Sequence, residues 1–306
     1  MAGVGKTVVS ACAGTQIDDQ CLKLKAAGGE IEAKLITRGA MCNSACSYLF
    51  LGATAREVAP DAGLGVHSSK IVLRFTGHPT ERQREEVMAR QRSQSDRETA
   101  SFVKAMGISH ELVELIKTVS FESWHVLTRQ ELYRFGIDKR DFVQTAWTVE
   151  PWSRPYVRKM VWIKKKDEAF RTLEWRLLCD RRDRVRLMFI REIDKETAAT
   201  SVEMISGADS PVAFGNTPSR WGVYEVWNAG IKPDTVRDFL AKPRLQVGES
   251  MALPDGKANR TQFEIETRGL DNAWTLLSAV CATGGAFPAR LPGASGAPAS
   301  ATVPTR

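Results

Sequence analysis

The chain has 306 residues, which is enough for two domains that each bury a core of their own. A hydrophobic fraction of 43% and a charged fraction of 26% are typical of a soluble globular protein. The net charge of +7 is a diffuse excess of positive charge that identifies no acidic partner. The sequence has no long uninterrupted apolar run, which excludes an ordinary transmembrane segment.

The first forty residues alternate between strand and helix signals. Residues 7–10 predict a buried strand, residues 12–15 a turn, and apolar residues at helical spacing a helix that stops at Gly28 and Gly29. Residues 33–37 predict the next strand, which leads into a turn of small residues. This alternation predicts an α/β fold with a largely parallel sheet.

The next hundred residues continue the pattern. Residues 48–53 predict a buried helix and residues 63–67 a strand. Residues 80–106 predict a long polar helix, which is typical of a solvated rim or of an arm in a homo-oligomer. Thr128 and Glu131 have the spacing of a capping box, so a short helix is expected to begin just after Thr128.

The composition changes near Thr145, where tryptophans and prolines become frequent. From there the apolar residues alternate with polar ones, which predicts a hairpin over residues 175–189. Further elements are expected, namely strands over residues 201–205, 222–227 and 262–267 and a helix over residues 271–283. The predicted divisions are an α/β domain over 1–141, a linker over 142–160, a smaller β-rich (α+β) domain with a closing helix over 161–285 and a disordered tail over 286–306.

Residues 39–67 carry the most informative pattern. A turn of small residues surrounds Ser44 and precedes an apolar run, and His67 follows the apolar edge L-G-V. A serine hydroxyl becomes a nucleophile when a base takes its proton, and the oxyanion that forms needs backbone donors. We predict Ser44 as the nucleophile, His67 as the general base, and the backbone amides of Gly14 and Ala45 as the oxyanion donors.

The same residues also have a structural interpretation. Small residues around Ser44 are what tight packing at a helix start requires, and a histidine such as His67 is commonly a hydrogen-bonded structural residue. Two basic stretches, residues 158–166 and 181–186, lie at outward positions of predicted strands among acidic residues. We therefore expect a solvated face there and no binding of nucleic acid.

Residues 43–67, NSACSYLFLGATAREVAPDAGLGVH, resemble the Ser-to-His segment of the Clp protease proteolytic subunit. The pattern C-x-S-A-C followed by R and G-V-H is more similar to predicted periplasmic proteins with the Clp/crotonase-type fold. Residues 12–16 stand where those relatives carry an oxyanion turn, and residues 124–138 resemble their ending. The resemblance covers about residues 8–138 and implies a Clp/crotonase-like N-terminal domain with serine hydrolase or peptidase activity on a peptide or acyl substrate.

The chain departs from that pattern at two places. Of the paired glycines in the oxyanion turn only Gly14 remains, because Thr15 replaces the second. Ser120 stands where the aspartate of the peptidase would fall, and Glu122 is the nearest carboxylate. The resemblance therefore implies a Ser-His dyad, or a triad completed by Glu122; the alternative is a catalytically inactive module for binding or assembly in the cell envelope.

The six cysteines bear on the compartment. Cys42 and Cys46 lie four residues apart across a helix start, and they either form a disulfide or remain two free, buried residues. Cys179 and Cys281 would join a predicted strand to the closing helix. The even count favours a periplasmic or secreted protein whose true start lies upstream, since the amino terminus lacks a signal-peptide core; the alternative is a cytoplasmic protein.

No pair of cysteines or histidines other than these has the spacing of metal ligands, so we predict neither a metal nor another cofactor. The second half resembles the secreted β-rich domains of the invasion-associated locus B type. The resemblance is carried by the F-x-I-x-T strand at residues 263–267, the leucine-rich helix after it and the final cysteine, Cys281.

Overall fold

The computed structural model describes residues 1–9, 12, 19–150, 154–181, 184–192, 199–205, 211–215, 217–252 and 257–282. The oxyanion amide of Gly14, the turn predicted over residues 12–15 apart from Cys12, and the tail over residues 286–306 lie outside the described residues.

The described residues form seven α-helices and eighteen strands. The helices are α1 (Asp19–Ala27), α2 (Ala45–Leu51), α3 (Glu81–Ala105), α4 (Glu111–Thr118), α5 (Arg129–Arg134), α6 (Pro233–Leu240) and α7 (Leu270–Ala282). The strands are β1 (Ala2–Gly3), β2 (Lys6–Val9), β3 (Ala33–Ile36), β4 (Met41–Asn43), β5 (Arg56–Glu57), β6 (Gly63–Val66), β7 (His125–Val126), β8 (Phe142–Gln144), β9 (Thr148–Glu150), β10 (Tyr156–Lys164), β11 (Phe170–Arg181), β12 (Arg184–Glu192), β13 (Ala199–Ile205), β14 (Val212–Ala213), β15 (Ser219–Trp221), β16 (Tyr224–Ile231), β17 (Arg244–Ala252) and β18 (Ala258–Glu266).

The chain divides into two compact units, each built from several segments. Unit 1 contains Met1–Gly5, Thr37–Thr145 and Met160–Glu174, and unit 2 contains the described residues of Lys6–Ile36, Ala146–Lys159 and Trp175–Arg306.

The stretch predicted to be a linker, residues 142–160, contains β8, β9 and the start of β10. Val157 and Val161 are buried in β10 with the period-two pattern of a strand. Pro155 lies immediately before β10, where the missing amide hydrogen of proline does not interrupt the strand. The alternation of buried and less buried residues therefore marks this stretch as a strand. Pro155 marks only the start of that strand.

Unit 1 contains a three-stranded sheet in the order β4-β6-β7. β4 is parallel to β6 with Cys42 opposite Leu64, and β7 is antiparallel to β6. Cys42, Leu64 and Val66 point into an apolar core that is completed mainly by residues of α2, α4 and α5. Those helical residues are Phe50, Leu51, Leu112, Val113, Ile116 and Leu132.

The prediction of a largely parallel sheet is wrong for the first elements. β2 and β3, which belong to unit 2, pair antiparallel with Lys6 opposite Ile36. A helix that connects two parallel strands must cover the sheet with an apolar face. The leucines of α1 face solvent instead, with Leu22 51% and Leu24 37% exposed. The architecture is therefore mixed α/β with several sheets.

Two helix starts follow from local sequence as predicted. α3 begins after Thr80, whose side chain forms a capping box with Gln83, and α5 begins after Thr128, which forms the same arrangement with Glu131. Of the side chains of α3, Val103 is the one in the core, which agrees with the polar helix that the sequence predicts.

Unit 2 is rich in antiparallel strands. β12 pairs with β16 so that Phe189 lies opposite Trp227, and both are fully buried. Residues of β12 alternate between buried and exposed, as the sequence predicts for this strand. A separate sheet has the order β14-β13-β17-β18. The sequence analysis missed α6, which starts at Pro233, and β17.

One basic residue contradicts the solvated face that was expected for residues 158–166. Lys159 is fully buried in β10, because period two places it on the same side of the strand as Val157. Burial lowers the pKa of Lys159 to about 7, while attraction to Glu266 acts in the opposite direction.

Asp138 is a buried carboxylate of unit 1 with several partners. It accepts a hydrogen bond from the amide of Val58 at 3.0 Å and pairs with Arg129 at 3.1 Å and Arg140 at 2.6 Å. Burial raises the pKa of Asp138, but these hydrogen bonds and positive charges outweigh it, so the pKa lies below its ordinary value. This network ties the start of α5 and the segment that follows the helix to Val58, the residue after β5.

We expect Asp138→Asn to lower the free energy of unfolding by about 3–5 kcal/mol at neutral pH, because it leaves the buried Arg129 without its countercharge. A carboxyl group whose pKa is depressed by folding stabilises the fold above its unfolded pKa, and this contribution is lost as pH falls through the folded pKa. The difference between wild type and variant should therefore shrink below about pH 4.

Urea denaturation followed by circular dichroism at neutral pH and at pH 3 measures this difference. Glu114→Gln, which removes an exposed partner of Lys117 in α4, is the matched control and should leave the urea midpoint almost unchanged. Equal midpoints for wild type and Asp138→Asn at neutral pH would contradict the assignment.

Candidate functional site

Ser44 forms a sharp turn between β4 and α2. It has a positive φ of 57° with ψ of −126°, and it is exposed. Such a backbone conformation costs about 1–3 kcal/mol for a residue other than glycine and persists where the surroundings enforce it. A serine at a strained turn from strand to helix presents its hydroxyl at the end of the sheet.

His67 follows the last residue of β6. Because β4 and β6 are parallel with Asn43 opposite Gly65, the chain positions of Ser44 and His67 both follow the carboxyl ends of neighbouring strands. The two residues line one small pocket, whose interior has room for no more than about one water molecule. The other lining residues are Ser47, Tyr48, Leu51, Val66 and Ile116.

The His67 ring is held by backbone and by an aromatic neighbour. Its Nδ1 lies 2.7 Å from the carbonyl oxygen of Ser68. A carbonyl oxygen only accepts hydrogen bonds, so Nδ1 carries the proton and Nε2 keeps its lone pair in the neutral ring. The ring of Phe121 meets the imidazole edge-on, with 5.3 Å between the centroids.

Glu122 has a different environment from the one that the resemblance implied. It is exposed, and its carboxylate accepts a hydrogen bond from the Ser120 hydroxyl at 2.6 Å. That bond is the main cause that lowers the pKa of Glu122, with a smaller effect from the charge of Lys70. Within the described residues, Glu122 makes no hydrogen bond to His67, and its role as orienting residue stays a prediction.

Ala45 is the first residue of α2 and is exposed. The first backbone hydrogen bond of this turn runs from the amide of Ser47 to the carbonyl of Ser44, at 2.9 Å. The amide of Ala45 comes earlier in the chain than the first bonded amide, as expected for the first position of a helix. The other predicted oxyanion donor, Gly14, is not among the described residues.

Ser47 is a site residue that the sequence analysis missed. It is buried, and its hydroxyl lies 3.0 Å from the carbonyl of Cys42 in β4 and 2.5 Å from the carbonyl of Gly65 in β6. One hydroxyl hydrogen is thus shared between the two strands that lead to Ser44 and His67. A serine three residues after the turn, within an apolar run, was the available sequence signal.

The glycines of the G-L-G-V-H segment, residues 63–67, make room for side chains of the neighbouring strand β4. A methyl group on Gly65 would lie 2.3 Å from Oδ1 of Asn43, and one on Gly63 would lie 2.4 Å from the sulfur of Met41. The side chains of β4 therefore lie across β6 at both glycines. This packing explains why small residues are needed in the strand that leads to His67.

The six cysteines form three disulfides, Cys12–Cys21, Cys42–Cys46 and Cys179–Cys281. The last two are the candidate pairs of the sequence analysis, where Cys42 and Cys46 could also have been free, and the first was not proposed from the sequence. Disulfides are typical of oxidising compartments. Within the described ranges, no group of three metal-ligating side chains is found, and no helix is long and apolar enough to cross a membrane.

No family model and no curated protein matches the chain. Among solved structures, the chain is similar to the crystal structure of invasion associated protein B from Bartonella henselae. The TM-score is 0.33 with 10% sequence identity, over 46% of this chain and 93% of that one. A similarity at this level carries no functional argument, and the Clp/crotonase resemblance stays a prediction.

We expect Ser47→Ala to destabilise unit 1 by about 1 kcal/mol, because it removes a buried hydrogen bond. We also expect it to slow the reaction of Ser44 with a fluorophosphonate, a reagent for activated serines, because β4 and β6 lose their link. Thermal unfolding and the labelling rate measure the two effects.

Thr118→Ala is the matched control, because Thr118 Oγ1 donates to the carbonyl of Leu115 at 2.7 Å on the neighbouring α4. This variant should keep the wild-type labelling rate. Equal labelling rates for both variants would show that the Ser47 hydrogen bonds have no influence on Ser44.

Proposed function

We propose that the protein is a serine hydrolase that cleaves a peptide or acyl bond, with Ser44 as nucleophile and His67 as general base. The observation that carries the proposal is the juxtaposition of the two residues. Both follow the ends of adjacent parallel strands, and both line the same pocket. The positive φ of Ser44 and its exposure support the same reading.

In this mechanism Nε2 of His67 takes the proton from the Ser44 hydroxyl as its oxygen attacks the carbonyl carbon of the substrate. The tautomer favoured by the Ser68 carbonyl leaves Nε2 free for this step. The protonated ring then gives its proton to the leaving group, and an acyl-enzyme forms on Ser44. Water, activated by the same ring, hydrolyses the acyl-enzyme and regenerates the serine.

The negative charge on the carbonyl oxygen needs backbone donors during this step. Among the described residues, we assign the backbone amide of Ala45 as one donor, because it comes before the first hydrogen-bonded amide of α2. Gly14 remains the second proposed donor.

The orienting group differs from that of a Ser-His-Asp triad. The carbonyl of Ser68 fixes the tautomer of His67 but carries no full negative charge to stabilise the imidazolium. Neutralising the triad aspartate of a serine protease costs a factor of about 10⁴ in kcat. We therefore expect slow turnover, and a covalent probe is a more sensitive test than substrate hydrolysis.

A second candidate is a catalytically inactive binding or assembly module of the cell envelope. It is favoured by the absence, within the described residues, of a hydrogen bond between Ser44 and His67, and by the hydrogen bond that the Glu122 carboxylate accepts from Ser120 and not from His67. For either function the three disulfides support a periplasmic or secreted location.

We expect a fluorophosphonate to label wild-type protein on Ser44. Labelling should be lost in Ser44→Ala, and its rate should fall at least about 100-fold in His67→Gln, since a positioned general base contributes a factor of about 10²–10⁴. Intact-protein mass spectrometry measures the labelling rate, and peptide mapping identifies the modified residue.

Two control variants sharpen this test. Ser123→Ala removes another exposed serine of unit 1 and should keep the wild-type rate. Glu122→Gln should change the rate little if the Ser68 carbonyl orients His67, and strongly if Glu122 completes a triad. No labelling of the folded wild-type protein would favour the binding module.

A further inference from the structure

Cys46 differs from the other cysteines in its exposure. It is the one exposed residue among the six, all of which are described, whereas its partner Cys42 is buried in the core of unit 1. Thiol–disulfide exchange requires a thiolate to reach a sulfur atom, so access determines which disulfide reacts first. On this criterion the Cys42–Cys46 disulfide is the most reactive of the three.

This disulfide also encloses Ser44. Its cysteines lie four positions apart, with a Cα–Cα distance of 5.2 Å, and they join the middle of β4 to the first turn of α2 across the turn. The Cys179–Cys281 disulfide spans 102 positions instead. Because the stabilisation by a disulfide grows with the length of the loop it closes, the long bridge contributes more to overall stability. The short bridge acts mainly as a local restraint.

The backbone of Ser44 needs such a restraint. A positive φ is unfavourable for serine, and without enforcement the residue relaxes to an ordinary negative value. That change redirects the Ser44 hydroxyl relative to His67. The link through Ser47 holds the strands together but bonds to the carbonyl of Cys42, two residues before Ser44, so it does not fix the φ angle of Ser44 itself.

We propose that the Cys42–Cys46 disulfide is a thiol-exchange site, and that a protein dithiol of the surrounding compartment switches Ser44 off by reducing it. The use of Ser44 reactivity to follow the switch rests on the hydrolase function proposed above. The site itself rests on the exposure of Cys46 and on the position of the disulfide around the turn.

The exchange is balanced in two steps. A thiolate of the dithiol attacks Sγ of Cys46, the Cys42–Cys46 bond breaks, and Cys42 leaves as a thiolate that takes up a proton. The second thiol of the dithiol then attacks the mixed disulfide and releases Cys46 as a thiol. Two electrons pass from the dithiol, which becomes a disulfide, to the cysteine pair.

The test uses the full chain in buffers of graded dithiothreitol concentration, with dithiothreitol as the dithiol. Maleimide trapping and peptide mapping identify which disulfide has opened, and fluorophosphonate labelling follows Ser44. We expect Cys42–Cys46 to open first, with a labelling rate at least tenfold lower, and the rate to recover on reoxidation. Unchanged labelling after selective opening, or opening of Cys179–Cys281 first, would overturn the proposal.

Variants separate the local effect from loss of structure. Cys42→Ala/Cys46→Ala should label slowly and no longer respond to the dithiol. Cys179→Ala/Cys281→Ala, the matched control, should be less stable to heat yet label at the wild-type rate below its melting temperature and still respond to the dithiol. If the first variant does not fold, the selectively reduced wild-type protein provides the same comparison.

Hydrogen exchange distinguishes failure of this proposal from failure of the hydrolase function. If the oxidised protein is never labelled, the hydrolase proposal fails. Selective reduction should still accelerate the exchange of the α2 amides, residues 45–51, at least tenfold while α7 is unaffected. Unchanged exchange in α2 would overturn the proposed switch whether or not Ser44 is reactive.

Discussion

The parallel pairing of β4 with β6 is the constraint on which the candidate site depends. Because the two strands run in the same direction with Cys42 opposite Leu64, the residues that follow them leave the sheet at one edge. Ser47 reinforces the pairing from α2 through hydrogen bonds to a carbonyl of each strand. A shift of one residue would turn Leu64 out of the core, so burial and site geometry are fixed by the same register.

A main-chain carbonyl holds the ring of His67. Its Nδ1 faces the carbonyl of Ser68, and the amide of Ser68 donates to the carbonyl of Val119 at 3.0 Å, which ties this segment to the end of α4. Phe121 closes one side of the ring. A backbone carbonyl sets the tautomer as well as an aspartate does, but it offers less stabilisation to a charged ring. The two candidate functions differ at this point, because hydrolysis requires a protonated imidazole and binding does not.

The three disulfides act on different scales. The bridge between Cys179 and Cys281 closes a long segment of unit 2 and connects β11 to α7, so it removes much of the freedom of the unfolded chain. The bridges that involve Cys12 and Cys42 span nine and four positions, so each restrains only a short segment of the chain. A long-range disulfide in a β-rich unit and a short disulfide around a tight turn are both typical of proteins from oxidising compartments.

The sequence by itself determined the features that depend on a few neighbouring residues. The capping box at Thr128, the alternation along β12 and the small-residue turn at Ser44 were predictable because each signal lies within about one helical turn or strand. Only the tertiary structure decided the antiparallel pairing of β2 with β3, the packing of Phe121 against His67 and the hydrogen bond from Ser47 to Gly65. These depend on which surfaces become buried together over long separations, and local sequence patterns do not encode that choice.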